Sequence, residues 1–574
     1  RVTFDASIEV SNVSRTWDLL DAAEYAEQKQ TQHLISRILG ENMTYEEALR
    51  DMPYSGRYSG ELNMNWTPSD NAGGDGAYSP TPEDFRSGRV ASTDWQDAVL
   101  RTGISQKYSL SISGGNDRVN YYVGAGMDDI QGVIVGSEFK RYTINSTLDA
   151  KIWNWLSVTN SFNAAYTKSN RSQTGNIQSG DSRGVMMAAV IYDPTQLISG
   201  NRYEIENGLL INSDDPYTAA TSCMDINTVY TAMDNVALNF NLAKGLKAKI
   251  TGGVRYSQNV RDIYNPRTSN RYWDAAGQGY ALYGNNTDMY VINENLLLYT
   301  NSFGRHTIDA TAGFTQEASW GDAHTASVKG FLNDYNQYHV LGSATTFYNP
   351  TSDYYKTGTL SWLGRINYNY DDRYLATVSF RADGSSKFGK NNKWGYFPSA
   401  AFAWRVNQEQ FMQNVKVISN LKLRASVGQT GNQGISPYQS LSALTPGTYP
   451  VNGKLENTYQ LGWTMPNPDL KWETTTQYDL GLDLGLFNNR LTFTADFYLK
   501  DTDDLLQNIT LASNTGYSSV LMNAGSLRNK GVELSLTGVI CNREFYWSMT
   551  GNWSTNRIKV LSLGGMESYP GHYV

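Results

Sequence analysis

Five histidines and two cysteines, Cys223 and Cys541, make up the soft metal-ligating stock of the chain. The histidines, His33, His306, His324, His339 and His572, stand at no ligand spacing from another His, Cys or carboxylate, so no metal site is expected. No G-x-S-x-G and no phosphate-cradling glycine loop occurs. No catalytic residue is therefore assigned, the chain is not expected to be an enzyme, and no cofactor is expected. The acidic segments Asp70–Asp75, Asp128-Asp129 and Asp214-Asp215 carry the oxygen ligands that calcium takes, but solvated loops suit them better.

What remains is the chemistry of recognition. Polar and charged residues recur at every second position beside apolar ones: Asp5 and Glu9, Arg365, Arg381, Asp479 and Asp483, Asp496 and Lys500, Glu533. Aromatic residues gather in long polar connections: Trp66, Tyr78, Tyr272, Trp273, Tyr280, Tyr283, Phe347, Tyr348, Tyr354 and Tyr355. Rings of this kind can stack on the faces of sugars, and they can equally pack the loops or meet another protein.

The alternating residues need strands to hold them. In Thr475–Lys500, Tyr478, Leu480, Leu482, Leu484 and Leu486 fall on one face, and Asp479, Gly481, Asp483 and Gly485 on the other. After a turn at Asn488–Asn489, Leu491, Phe493, Ala495, Phe497 and Leu499 resume the apolar face. Each arm keeps this up for about ten residues, the length that crosses a bilayer when tilted. A lysine at Leu482 is then expected to cost about 2–4 kcal/mol near the midplane, and Asp483→Asn to leave folding nearly intact.

The unit repeats. Hairpins are expected around Asn116-Asp117, Lys151–Asn154, Gly245, Gly304-Arg305, Asp371-Asp372, Gln408–Val417, Asn488–Asn489 and Cys541–Arg543. The Gly304-Arg305 hairpin pairs Leu296 and Leu298 with Ile308, Ala310, Ala312 and Phe314 as one apolar face. With the lone segment Val2–Val10, this makes about seventeen strands. Turns within hairpins are short, and most connections between them are long. An outer-membrane barrel sorts its connections this way, with the long loops outside. The fold expected is therefore an all-β, transmembrane antiparallel barrel. Asp21 with Glu24, Thr44 with Glu47, Thr81-Pro82 with Asp84, and Thr93 with Gln96 mark helix starts in the first long excursion. Gly184–Tyr192 reads as a buried loop helix or strand.

Composition agrees. The chain has 574 residues, a mean hydropathy of -0.48, and no apolar run long enough for a membrane helix. Its 39 Tyr, 14 Trp and 51 Gly suit interfacial girdles and turns. The net charge of -8, with no basic run, points away from nucleic acid. On the barrel topology Tyr368, Tyr370 and Tyr374 belong to a periplasmic aromatic rim. Arg365, Arg381, Asp479, Asp483, Asp496 and Glu533 face the lumen, where they contact a domain seated inside or line a solute path. Mixed signs there do not suit a pore for one ion sign. Cys541 falls in a periplasmic turn and Cys223 in an outer loop, too far apart to pair.

Several segments resemble the SusC/RagA-like TonB-dependent outer-membrane transporters of Bacteroidetes. They are WDLLDAAEYAE (17–27), TDWQDAVLRTG (93–103), YSLSISGGNDRVNYYVGAGMDDIQGVI (108–134), FRADGSSKFGKNNKWGYFPSAAFAWRVNQEQFM (380–412), LKLRASVGQTGNQGI (421–435), NPDLKWETTTQYDLGLDL (467–484), NAGSLRNKGVELSL (523–536) and NWSTNRIKVLSL (552–563). The resemblance implies a barrel of about 22 strands, a plug in its lumen, a TonB box, and a SusD-like surface lipoprotein as a lid, with a dimer of such pairs as one arrangement. It implies import of oligosaccharides or peptides driven through TonB. Residues 1–574 are expected to be the barrel portion, without the plug and the last strands, so no TonB-contacting residue is assigned. A siderophore or cobalamin receptor is the rival reading within the same architecture.

Overall fold

The structure, a computed structural model, describes residues 1–50, 82–88, 92–171, 184–195, 198, 204–206, 209–211, 215–267 and 277–564. It holds an 18-stranded antiparallel sheet. One member is the two-residue strand Thr346–Phe347, laid against the end of a longer one. The other seventeen follow one another around the sheet in chain order. They are β1 (Val2–Ser11), β2 (Gly103–Gly115), β3 (Val119–Gln131), β4 (Glu138–Trp153), β5 (Leu156–Asn170) and β6 (Met224–Ala243). Next come β7 (Leu246–Asn265), β8 (Tyr280–Phe303), β9 (His306–Lys329), β10 (Thr351–Tyr370), β11 (Tyr374–Ser385) and β12 (Trp394–Arg405). Then come β13 (Ile418–Asn432), β14 (Glu473–Leu486), β15 (Leu491–Asp503), β16 (Ser526–Asn542) and β17 (Tyr546–Ser562). Among the described residues no helix is long and apolar enough to cross a membrane.

The expected turns form where residues tolerate a left-handed backbone. Asp371 and Asp372 sit at φ 52° and 54°, and Phe487, Asn488 and Asn489 at 54°, 56° and 60°. Alternation then sorts the side chains. Trp362, Ile366, Val378, Phe380, Leu480 and Phe497 stand exposed on the outer face, as lipid-facing residues must. Rings cluster at the short-turn end. Tyr370 lies 5.0 Å from His306 and 6.3 Å from Tyr374, and Tyr374 lies 6.5 Å from Trp404. Trp153 and Trp155 stack at 5.2 Å near the β4–β5 turn. The outer face also carries a polar pair: Asn160 Nδ2 donates to Asp234 Oδ1 at 2.6 Å. The amide meets part of the carboxylate's need for a donor in a place where a lone charge is costly.

Four expectations change. First, the register Leu297↔Ala312 and Tyr299↔Ala310 puts Leu297 and Tyr299 on the outer face. Leu296 and Leu298, expected there, turn inward with Leu363, because facing is set by the neighbouring strands. Second, β8 and β9 run for 24 residues each. That is roughly 80 Å of strand, so their upper parts project past the bilayer and claim residues expected in loops. Third, the helix Trp95–Val99 is capped by Asp94, whose carboxylate accepts from Gln96 and Asp97 N–H, and not by Thr93. Fourth, Cys541 is a strand residue opposite Trp547, and it forms no disulfide with Cys223. Two other helix starts hold, while Thr81, expected to start the helix Pro82–Arg86, lies outside the described residues. Asp21 and Glu24 form a full capping box before α1 (Ala22–Gly40), and Thr44 and Glu47 bond reciprocally before Tyr45–Arg50. Gly184–Tyr192 is a short helix, Val185–Ile191, with Val185 and Ala189 buried.

Candidate solute-facing wall

The inner face is built by the same alternation. On β14 and β15 the polar positions bring Asp483 and Asp496 to one cation, Arg424 of β13. Arg424 Nε donates to Asp483 Oδ2 at 2.9 Å, and Nη2 reaches Asp483 Oδ1 at 3.0 Å and Asp496 Oδ1 at 2.9 Å. Gly481 makes room: a Cβ there would lie 2.5 Å from the guanidinium carbon. Beside this, Asp479 accepts from Ser426 at 3.1 Å and from Gln477 at 2.8 Å. Arg381 Nε bonds Asp383 at 2.7 Å and its Nη2 donates to Ser361 at 3.0 Å. Lys500 lies over the Tyr498 ring at 5.0 Å, and Lys107 pairs with Glu9 at 2.9 Å. Arg365, Glu533 and Asp5 are exposed on this face and carry no ion pair among the described residues.

Higher up, toward the long-loop end, the inner wall holds a cavity of about 360 Å3. Tyr290, Glu317, Ser319 and Tyr355 line it from β8, β9 and β10, and Lys387 and Gln433 from the loops above. The Tyr355 hydroxyl donates to Asp288 Oδ1 at 2.6 Å, which fixes the ring. Arg255 stands 5.4 Å from the centre of the Tyr290 ring. The cavity thus offers two aromatic rings, several hydroxyls and charges of both signs.

The two loop residues are held by a small apolar core. Phe388, Phe397, Ile435, Leu470, Trp472 and Leu521 are buried together. Phe388 and Phe397 lie 4.9 and 5.5 Å from Trp472, whose Nε1 donates to the Lys393 carbonyl at 3.0 Å. Gly389 passes so close to the Pro468 backbone that a Cβ would sit 2.1 Å from its oxygen. The segments FGKNNKWGYFP and NPDLKWE therefore meet in space as a brace. A second brace packs Trp95 and Val99 on Val185, Ala189 and Ala220.

The predicted aromatic residues scatter. Trp66, Tyr78, Tyr272 and Trp273 lie outside the described residues, as does Asp70–Asp75. Tyr280, Tyr283, Tyr354 and Tyr355 are on strands instead of in loops, for the length reason given above. Only Tyr355 of these lines the cavity. Tyr283 and Tyr354 share the parity of the outward residues. Tyr280 is buried against Tyr348, at 6.3 Å, and Tyr348 lies under Lys329 at 5.7 Å. Phe347 is exposed at the rim. Asp128 and Asp129 pair with Arg141 and Lys140, and Asp215 caps the helix Pro216–Ser222, so both acidic pairs have structural work where they are described. Among the described residues no acidic, His or Cys group is arranged to hold a metal. Sequence reasoning missed Arg424, Tyr290, Glu317, Lys387 and Gln433. Arg424 was legible, since it alternates with Leu421, Leu423, Ala425 and Val427; the cavity residues give no local signal.

Comparison with known proteins agrees with this architecture. Residues 192–569 match the family model described as TonB dependent receptor-like, beta-barrel. The chain is 34% identical over 499 residues to TonB-dependent receptor P3 of Formosa agariphila, covering 84% of this chain and 49% of that protein. It is 29% identical over 518 residues to TonB-dependent receptor SusC of Bacteroides thetaiotaomicron, covering 84% of this chain and 50% of that protein. The chain thus spans about half the length of the curated relatives it matches. The RagAB peptide importer in its closed-closed state superposes with a TM-score of 0.80 at 26% identity, over 99% of this chain and 62% of that one. With its outer apolar face, aromatic rim and sorted connections, the chain belongs to the TonB-dependent receptor-like β-barrel family of the outer membrane.

Proposed function

We propose that the chain forms the barrel of a TonB-dependent importer of oligomeric nutrient, with oligosaccharide as the solute. The observation that carries the reading is the inner cavity, where Tyr290 and Tyr355 stand among hydroxyls and charged tips just below the braced loops. Two ring faces with surrounding donors and acceptors suit a chain of sugars. In this reading a SusD-like lipoprotein covers the long-loop end. TonB acts through a domain seated in the lumen. No covalent step is involved. Binding energy is exchanged between lid, wall and lumen domain as the site is exposed first to one side and then to the other.

A peptide solute is the second reading. It is favoured by the likeness to the RagAB peptide importer and by Glu317 and Lys387, which could meet opposite charges of a peptide. Binding of oligosaccharide and peptide pools to the complex purified from native membranes separates the two. Tyr355→Ala is expected to weaken oligosaccharide binding about 3–10-fold, the worth of one ring contact. Unchanged oligosaccharide binding in that variant, or purification of the barrel with no lipoprotein under mild detergent, would overturn the corresponding part of the proposal.

A further inference from the structure

The outer face of β8–β11 is not uniformly ridged. It contains a depression of about 460 Å3 with an almost wholly apolar lining. The cause lies in two neighbouring rows of the sheet. One row runs Leu297, Ala312, Gly364, Phe380; the next runs Tyr299, Ala310, Ile366, Val378. Small residues therefore meet at the centre, and large ones stand at both sides. In the next row up, Phe314 and Trp362 pack against each other at 4.6 Å. A Cβ added at Gly364 would meet nothing within 4 Å.

We propose that this depression is a retention site for one acyl chain of a phospholipid from the leaflet on the short-turn side. It lies next to the aromatic rim, within the band that faces hydrocarbon. Apart from the Tyr299 hydroxyl at its lower edge, nothing in its lining asks for a polar occupant. At its lower edge the Tyr299 hydroxyl accepts a hydrogen bond from Asn301 Nδ2 at 3.0 Å. Its own proton has no acceptor among the described residues, so it is available to an ester or phosphate oxygen at headgroup depth. Bulk lipid is as apolar as the lining, so no hydrophobic gain drives retention. What distinguishes the site is shape: a chain segment seated here touches floor and both walls at once, and dispersion contacts add up. The inference concerns the outer surface and does not rest on the transport reading.

The test is native mass spectrometry of the full-length protein, extracted from its own membranes and delipidated in steps. The wild type is expected to keep one phospholipid after the rest are stripped. Gly364→Val fills the depression without a clash and should lower that retention at least fivefold. Gly252→Val is the control. It is on the same outer face, and its Cβ also meets nothing within 4 Å. It should retain the lipid as the wild type does. Equal retention in Gly364→Val and wild type, or equal loss in both variants, overturns the proposal. So does a lipid-free wild type whose oligomeric mass falls in Gly364→Val, since the occupant is then protein.

Discussion

Two hairpins of this sheet solve one packing problem with opposite materials. In β14–β15, Gly481 leaves its space to the guanidinium of Arg424, where a Cβ would come within 2.5 Å. In β8–β9, Gly313 leaves its space to Leu296, where a Cβ would come within 2.5 Å of Cδ2. Each inner-face glycine admits a long side chain from the next strand. The first hairpin lines its wall with a charged clamp, and the second with leucine. The first keeps strict alternation, so its faces are readable from its own residues. The second breaks it, with Asn293 and Asn295 outward and Leu296 and Leu298 inward, and only pairing assigns its faces. A strand inside a continuous sheet inherits its orientation from its neighbours, because one slipped residue would turn every side chain over.

Lysine scanning puts this contrast at risk, and the largest effect is expected first. Leu482→Lys should cost about 2–4 kcal/mol of barrel stability in urea titrations, as for a cation near the bilayer midplane. In the second hairpin, neighbours should separate. Leu297→Lys should cost about 1–2 kcal/mol, being nearer the rim, and Leu296→Lys under about 0.5 kcal/mol, as for a surface change. Equal costs at 296 and 297 would undo the assigned register.

The clamp should respond next. Arg424→Ala leaves Asp483 and Asp496 facing each other without their cation, and should cost about 1–2 kcal/mol given their partial exposure. Asp483→Asn, expected from the sequence to be nearly neutral, should cost about 1 kcal/mol, because it gives up a bidentate charged pair. Gly481→Ala should cost about 1 kcal/mol in the wild type and almost nothing beside Arg424→Ala. Additive costs in that double variant would mean that the guanidinium does not occupy the glycine's space.

Legibility followed the same divide. The strand count, the tight turns at Asp371-Asp372 and Asn488–Asn489, the rim tyrosines and the capping box at Asp21 are local events, and local residue types dictate them. The inner cavity is not local. Tyr290, Glu317 and Tyr355 come from three strands, and Lys387 and Gln433 come from loops fixed by Trp472, far away in sequence. No periodicity announces such a meeting. Strand length misled in the same way, since alternation fades where β8–β10 leave the bilayer and no longer need one apolar face. Tyr280, Tyr283, Tyr354 and Tyr355 therefore read as loop residues.

The connection between β12 and β13 is the irregular one on the short-turn side, and it carries the smallest expected effect. It is built from 3-10 turns, Val406–Gln408 and Gln410–Met412, with Glu409 between them. The Glu409 carboxylate accepts from the Tyr374 hydroxyl at 2.7 Å and from Trp404 Nε1 at 3.1 Å, and lies 3.5 Å from Arg373. The bond from Tyr374 first, then that from Trp404, holds its pKa below the ordinary carboxylate value. A carboxyl group with a lowered pKa in the folded state stabilises it fully above the unfolded value of about 4.3. That contribution is lost as pH falls through the folded pKa. Glu409→Gln should therefore be slightly less stable than wild type at neutral pH and should close the gap in acid. Thermal midpoints between about pH 6 and pH 3 read the difference directly. Parallel curves would mean that the carboxylate is not what ties this connection to the aromatic rim, and that the irregular turn is held by its backbone alone.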